Sequence, residues 1–358
     1  MTSNTETDGR LFSTEELKNL AERKTTTEVF KCWEKDIIHF LKNWFSESSY
    51  IEVQTSGSTG KPKTIRLEKS RMETAAGKTL EFLGLKPGST ALLCLPVRYI
   101  AGKMMIVRAL AGDLRLFVTR PSSHPLDNID RSFDFAAMTP MQLHNIIGQE
   151  NGMQKLNAIR NLIIGGAEIH PDLEKRLQLL ENKCFHTYGM TETITHVAMR
   201  RINGAGRSRF FKAMKNVSFE TNENNCLVIS SPDISDEKII TNDMVHLKGA
   251  KQFEFIGRYD HVINSGGIKL FPEVIEGKLR KIIDGRFIIT GIPDDELGEK
   301  AALVVEGNRH LTAGQVKRIK SKLNEYEIPK AIFYLGKFAE TENGKIKRKK
   351  VAEEIRDQ

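Results

Sequence analysis

Thr55-Ser56-Gly57-Ser58-Thr59-Gly60-Lys61-Pro62-Lys63 is the stretch on which the reading of this chain turns. It comes directly after Ile51-Glu52-Val53-Gln54, an apolar–polar alternation with the period of a half-buried strand. Hydroxyl side chains, glycines and lysines crowded together make a loop rich in backbone N–H groups, hydroxyl donors and positive charge, which is what a polyphosphate needs around it. The spacing is not that of a Walker A loop. Only two residues separate Gly57 from Gly60, and Pro62 stands where Ser or Thr should come after the lysine. A plain Gly/Ser hairpin turn would read the same way in isolation, so the loop has to be weighed with its companions.

Those companions arrive in order. His186-Thr187-Tyr188-Gly189-Met190-Thr191-Glu192 is followed by Thr241-Asn242-Asp243 and by Gly257-Arg258-Tyr259-Asp260. Next come Ser265-Gly266-Gly267-Ile268-Lys269-Leu270-Phe271-Pro272-Glu273 and finally Gly344-Lys345-Ile346-Lys347-Arg348. In this order the series resembles the adenylate-forming (AMP-binding) superfamily, which includes acyl-CoA synthetases, peptide-synthetase adenylation domains and beetle luciferases. The resemblance runs from about residue 51 to the C-terminus. It implies an α/β fold with a large N-terminal domain binding ATP and the acid, residues 1–257, and a small mobile α+β C-terminal domain, residues 258–358, carrying the catalytic lysine. Members usually carry far more chain ahead of the phosphate loop than the 54 residues found here, so the first subdomain is expected to be truncated to two helices.

Bulk properties agree with a soluble two-domain protein. A length of 358 residues, 39% hydrophobic and 28% charged, leaves room for one large and one small core. The net charge of +8 suits nucleic acid, an anionic membrane or anionic small substrates. Aromatics make up only 7% and are not interleaved with the basic runs, so a single-strand stacking surface, and with it a nucleic-acid partner, is not expected. No apolar run reaches the length of a membrane span, and Met1 to Gly9 lack a signal core, which points to the cytoplasm. Cys32, Cys94, Cys184 and Cys226 form no CxxC pair, so neither a disulfide framework nor a metal cluster is expected. Nothing fixes the oligomeric state, and a homo-oligomer stays open.

Along the chain, residues 1–12 read as disordered, and Ser13 with Glu16 forms a capping box that starts a short helix. A second helix places Phe30, Trp33, Ile37, Phe40, Leu41 and Trp44 on one face. Apolar runs at Ala91–Leu95, Leu114–Val118, Phe133–Met138 and Asn161–Ile164 alternate with helical patterns at 70–83, 99–111, 140–148 and 171–182, which predicts a largely parallel sheet. Leu227–Ser230, Lys238–Ile240 and Phe253–Ile256 read as strands closing the large domain. Strands at Phe287–Ile292, Ala301–Glu306 and Ile332–Leu335, with a helix at Ala313–Asn324, make up the small one.

The resemblance also implies a reaction and assigns residues to it. A carboxylate attacks the α-phosphorus of ATP to give an acyl adenylate and pyrophosphate, and the CoA thiolate then displaces AMP. ATP, Mg²⁺ and CoA are the implied co-substrates and cofactor. Thr55, Ser56, Gly57, Ser58, Thr59, Gly60 and Lys61 are expected around the β- and γ-phosphates, with Lys63 as a further charge. Glu192 is the implied Mg²⁺ ligand and Thr191 the implied contact to the α-phosphate. Tyr188 and Gly189, with Gly166 and Ala167 in the Gly165-Gly166-Ala167-Glu168 segment, would line the adenine. Asp243, preceded by Asn242 where the family usually has glycine, and Arg258 are the ribose candidates. Asp260 takes the hinge position, while Gly266, Gly267 and Lys269 form the loop that borders the pantetheine tunnel. Lys345 is the implied bridge between acyl carboxylate and α-phosphate in the adenylation step.

The acyl segment runs from Leu95 to Arg108. Arg98-Tyr99 replaces the Phe-His of many acyl-CoA synthetases, and Tyr99, Lys103 and Arg108 are the acid-binding candidates. Arg108 falls where 2-succinylbenzoate–CoA ligases carry an arginine. Buried cations are costly beside a fatty acid and suit an acid with a second carboxylate. The implied substrate is 2-succinylbenzoate, on the way to menaquinone. Two other readings compete: a stand-alone domain loading an amino or aryl acid onto a carrier protein, and a basic nucleic-acid scaffold using the C-terminal lysines.

Overall fold

The computed structural model of the chain describes residues 9–22, 32–54, 64–340 and 346–356. Two compact units emerge, Met1–Ser218 with Ser230–Ile239, and Phe219–Ile229 with Ile240–Gln358. The expected division at residue 257 lies inside the second unit.

In the first unit the strands are β1 (Gly9–Phe12), β2 (Tyr50–Gln54), β3 (Thr64–Glu68), β4 (Thr90–Leu93), β5 (Arg115–Thr119), β6 (Phe133–Met138), β7 (Ile159–Ile164), β8 (Lys183–Gly189), β9 (His196–Arg201) and β10 (Phe211–Ala213). The helices are α1 (Thr14–Glu22), α2 (Cys32–Trp44), α3 (Lys69–Leu83), α4 (Ile100–Gly112), α5 (Pro140–Ile147), α6 (Gly152–Asn157) and α7 (Pro171–Leu177). The main sheet runs β1-β5-β4-β6-β7-β8-β9-β10. Its centre, β5 to β8, is parallel throughout, as the strand–helix alternation predicted. Its strands are buried in near-continuous runs, the mark of a parallel sheet covered on both faces. One covering layer is α5, α6 and α7, where Leu143, Ile146, Leu156, Leu173 and Leu177 pack on Leu92, Ala136, Leu162 and Ile164. Helices α3 and α4 pack on each other, and α4 on β4 and β5.

Two local outcomes differ from the sequence reading. Residues 9–12 are not disordered: they pair antiparallel with β5 from Gly9↔Thr119 to Phe12↔Leu116. Left bare, the outer edge of β5 would present unpaired backbone groups, and β1 satisfies them. The Ser13–Glu16 capping box then forms as expected, through Ser13 N–H to Glu16 Oε2 at 2.7 Å and Glu16 N–H to Ser13 Oγ at 3.2 Å. Helix α7 stops at Leu177 rather than 182, because Asn182 turns inward to donate to the carbonyls of Leu156 and Ile159. Strands β2 and β3 pair antiparallel from Tyr50↔Glu68 to Gln54↔Thr64, and Thr55 to Lys63 lie outside the described residues.

The second unit holds two sheets. Strands β11 (Ser218–Thr221), β12 (Cys226–Ser230), β13 (Ile239–Leu247) and β14 (Gln252–Arg258) lie side by side in sequence order. The other sheet runs β16 (Ile268–Leu270), β15 (Ile263–Ser265), β18 (Gly298–Glu306), β17 (Phe287–Asp294), with β19 (Ala331–Leu335) also on β18. Helices α8 (Pro272–Leu279) and α9 (Ala313–Lys322) bury Ile275, Leu279 and Ile319 with Ile289 and Leu303. On the opposite face α10 (Arg348–Arg356) buries Val351 and Ile355 with Ile288 and Val304.

Candidate active site

In the first unit the candidate residues gather where an open α/β sheet binds ligands, beyond the carboxyl ends of adjacent parallel strands. Strand β7 ends in Gly165-Gly166-Ala167 and its neighbour β8 in Tyr188-Gly189. Both glycines of the first turn are needed. A Cβ on Gly165 would lie 2.5 Å from Thr187 Oγ1, and Gly166 takes φ +85°. Thr187 donates to the Ile164 carbonyl at 3.1 Å and ties the two strand ends together. Tyr188 is half-buried, edge-on to Phe211 with ring centroids 5.9 Å apart.

A buried histidine supports this platform, and the sequence reading passed over it. His186 hydrogen-bonds the backbone of Ala167, and its Nδ1 accepts from Arg200 Nε at 3.3 Å. Arg200 grips Glu174 with two bonds of 2.9 and 2.6 Å. Burial and the Arg200 charge push the His186 pKa down to about 3, so the ring is neutral. Burial alone would raise the Glu174 carboxyl, but the Arg200 hydrogen bonds and charge outweigh it and hold the pKa below its ordinary value.

After Gly189 the chain reverses through Met190–Thr195. A Cβ on Gly189 would come within 2.5 Å of the Thr195 carbonyl, so only glycine fits. Met190 N–H donates to Thr193 Oγ1 at 2.9 Å, and Thr193 Oγ1 reaches the Thr195 carbonyl at 2.7 Å. Between them buried Ile194 sits at φ 64°, ψ −53°, with Thr195 N–H bonded to the Thr193 carbonyl at 2.6 Å. This is a γ-turn of the rare, strained hand, centred on a β-branched residue. Such backbone costs on the order of 1–3 kcal/mol and persists only where the surroundings enforce it. The result is a fixed turn with Thr191 half-buried and the Glu192 side chain exposed.

Behind the same turn lies Arg108, 2% exposed on α4. Its guanidinium donates to Thr195 Oγ1 at 2.6 Å, and a terminal nitrogen lies 3.9 Å from Met105 Sδ. Its Nε has no hydrogen-bond partner among the described residues. Burial lowers the Arg108 pKa to about 9, so the group is still a cation at neutral pH. Thr195 Oγ1 is 3.4 Å from His196 Nδ1, and His196 Nε2 is 3.1 Å from Thr79 Oγ1. Burial first, and then the Arg108 charge, hold His196 well below its ordinary pKa. Lys103, the other acid-binding candidate on α4, donates to the carbonyls of Val97 and Arg98 at 2.8 and 3.3 Å and lies 5.6 Å over the Phe40 ring. Tyr99 caps the start of α4, half-buried, with the Arg98 guanidinium 5.0 Å over its ring.

In the second unit three sequence candidates meet. Asp243 on β13 stands opposite Arg258 on β14, beside a register shift at Met244/Val245. Arg258 donates to Asp243 Oδ1 at 3.3 Å and to both Asp260 oxygens at 2.9 and 3.2 Å. Burial would raise the Asp260 carboxyl, yet the Arg258 guanidinium wins and lowers it. Asp243 is 8% exposed, and its N–H donates to Thr241 Oγ1 at 3.0 Å, which fixes the Thr-Asn-Asp bend. Gly266 and Gly267, at φ 58° and 83°, turn the β15–β16 hairpin as a primed two-residue loop. Lys269 lies 5.9 Å over the Tyr259 ring.

The residues that follow Lys345 are held in the second unit. Ile346 bridges Glu340, and Arg348 forms a bidentate pair with buried Glu276 at 2.7 and 2.8 Å while donating to the Ile289 carbonyl at 3.1 Å. Arg348 is therefore a packed, paired residue of the second unit. Thr55 to Lys63 and Lys345 themselves lie outside the described residues.

The model of a family described as AMP-binding enzyme matches residues 42–216. An acyl-CoA synthetase (AMP-forming)/AMP-acid ligase II-like protein from Dyadobacter fermentans is 32% identical in a match covering 97% of this chain and 99% of that one, with a TM-score of 0.65. The chain belongs to the AMP-binding, adenylate-forming family. Among curated relatives of this family member, a 2-succinylbenzoate–CoA ligase of Enterococcus faecalis is 24% identical over 345 residues, covering 87% of this chain and 70% of that protein. The fold is shared with the o-succinylbenzoate CoA synthetase of Bacillus subtilis, solved with an acyl-adenylate intermediate, at 18% identity and a TM-score of 0.69 over 84% of this chain. No described helix of the AMP-binding chain is long and apolar enough to cross a membrane.

Proposed function

We propose that this family member is a cytosolic acid–CoA ligase working through an acyl adenylate, and that its acid is 2-succinylbenzoate, activated for menaquinone synthesis. The single observation that carries the choice of acid is Arg108. Among the described residues it has no carboxylate partner and one N–H unmatched, an expensive state for a cation in an apolar interior unless a ligand supplies the anion. A dicarboxylate does so: one carboxylate remains for chemistry and the other pairs with the guanidinium. Arg108, rather than Lys103, whose ammonium is held by backbone carbonyls, is the selecting cation.

The other roles rest on chemistry and position. Glu192, exposed on its rigid turn, suits a Mg²⁺ that takes most of its ligands from nucleotide phosphates and water. When bound, the ion neutralises phosphate charge. Thr191 would position the α-phosphate, and Tyr188 with Gly165 to Ala167 would form the adenine platform. Asp243 would accept the ribose hydroxyls, its carboxylate oriented by Arg258. Ser56 to Lys61 would hold the β- and γ-phosphates. Lys345 would stabilise charge on the attacked phosphoryl group, and for the thioester step residues 258–358 would turn about Asp260 to bring in Gly266, Gly267 and Lys269.

Pyrophosphate release with ATP, Mg²⁺ and CoA across a panel of acids, with products weighed by mass spectrometry, tests the reading. Selective formation of 2-succinylbenzoyl-CoA is expected. Turnover of monocarboxylic acids alone would overturn the substrate while leaving the ligase chemistry standing.

A further inference from the structure

Arg108 does not hold its place alone, and its hydrogen bonds have a direction. The Thr79 hydroxyl donates to the Ala75 carbonyl at 3.3 Å, one turn back on α3. Its oxygen is then the acceptor for His196 Nε2–H at 3.1 Å. That leaves His196 Nδ1 without a proton, as the acceptor for the Thr195 hydroxyl at 3.4 Å. With its proton committed there, Thr195 Oγ1 offers only lone pairs to the guanidinium at 2.6 Å. With the Thr79 hydroxyl given to Ala75, the chain Arg108→Thr195→His196→Thr79→Ala75 assigns His196 the Nε2–H tautomer. A protonated His196 would aim N–H groups at both threonines, so Thr195 Oγ1 would accept from the ring as well as from Arg108 and its hydroxyl would lose the ring as an acceptor.

Thr195 has a second attachment. It ends the strained Thr193–Ile194–Thr195 γ-turn, and its carbonyl receives the Thr193 hydroxyl at 2.7 Å. The residue that seats the guanidinium therefore also closes the turn bearing Thr191 and Glu192. We propose that Thr195 is a positioning residue for acid selection: through the relay to His196 it aims Arg108 at the acid's second carboxylate, and it joins that seat to the Thr191–Glu192 turn. This rests on the dicarboxylate reading given above. Contacts between Thr79 and His196 span 117 positions of sequence, so nothing local in the chain signals the relay.

The test compares Thr195→Val, which keeps the shape but loses the hydroxyl, with Thr195→Ser, which restores it. The readouts are steady-state kinetics on 2-succinylbenzoate and on a matched monocarboxylic aryl acid, together with ¹⁵N shifts of the histidine rings. Loss of one hydrogen bond to a charged group should raise KM for the dicarboxylate about tenfold to a hundredfold in Thr195→Val. The monocarboxylate KM should stay within about threefold, and Thr195→Ser should return most of the loss, a selectivity that a general packing defect would not produce. The wild-type His196 ring should show the Nε2–H tautomer. Equal losses on both acids, an unchanged Thr195→Val, or an Nδ1–H tautomer would each overturn the inference. A wild-type enzyme that fails on every dicarboxylate would instead sink the reading beneath it.

Discussion

Replacing Arg108 by methionine should make the ligand-free protein more stable while destroying its selectivity for dicarboxylates. Burial lowers the guanidinium from 12.5 to about 9. At about 1.4 kcal/mol per tenfold change in proton affinity, that sets an upper limit of about 5 kcal/mol on the cost of housing the charge. The folded group binds its proton less tightly than the unfolded one, so this penalty is full at neutral pH and eases only as pH climbs above about 9. Against it stands the bond to Thr195, about 1.5–3 kcal/mol for a charged donor. Methionine fills similar volume without a charge, and exchange of buried ions for apolar groups commonly gains about 1–4 kcal/mol. The expected net is a gain of about 1–3 kcal/mol, or a Tm several degrees higher at about 2–4 °C per kcal/mol. The assay is a thermal melt with and without saturating 2-succinylbenzoate. Wild type should gain on adding the acid and Arg108→Met should not. A variant melting well below wild type without ligand would refute the reasoning, since the guanidinium would then be a paired structural element.

Lys345→Ala should nearly abolish acyl-adenylate formation while leaving thioester formation from synthetic acyl adenylate largely intact, read by mass in separate half-reactions. Arg348→Met should lower stability by about 3–5 kcal/mol, because it strands the buried Glu276 carboxylate, and a denaturant melt will show it. Glu174 has a folded pKa below its ordinary 4.5, so its pairing with Arg200 stabilises above pH 4.5 and fades as pH falls through the lower folded value. Glu174→Gln should accordingly flatten the acid limb of the stability–pH curve and, by loosening His186 and Ala167, raise KM for ATP.

The parallel sheet was legible because its strands are continuous apolar runs separated by amphipathic helices. Phe133–Met138 matched residue for residue. The Asp243–Arg258–Asp260 clamp was legible as motifs, although only strand register shows that one guanidinium serves both carboxylates. Other features were hidden for physical reasons. Gly9–Phe12 is too short and polar to announce itself, and becomes a strand only because β5 offers an edge. Lys103 and Arg108 look alike in sequence, yet one satisfies carbonyls at its own helix start while the other crosses to Thr195. The His186–Arg200–Glu174 brace joins residues of β8, β9 and α7, and a chain read in one dimension carries no local sign of it.

The most direct test of the central claim tracks oxygen. With ¹⁸O in both carboxylate groups of 2-succinylbenzoate, and ATP, Mg²⁺ and CoA supplied, attack of the carboxylate on the α-phosphorus must leave one heavy oxygen on AMP when CoA displaces it. AMP heavier by one ¹⁸O is the predicted result. Unlabelled AMP, or label in inorganic phosphate alongside ADP, would contradict the acyl-adenylate mechanism.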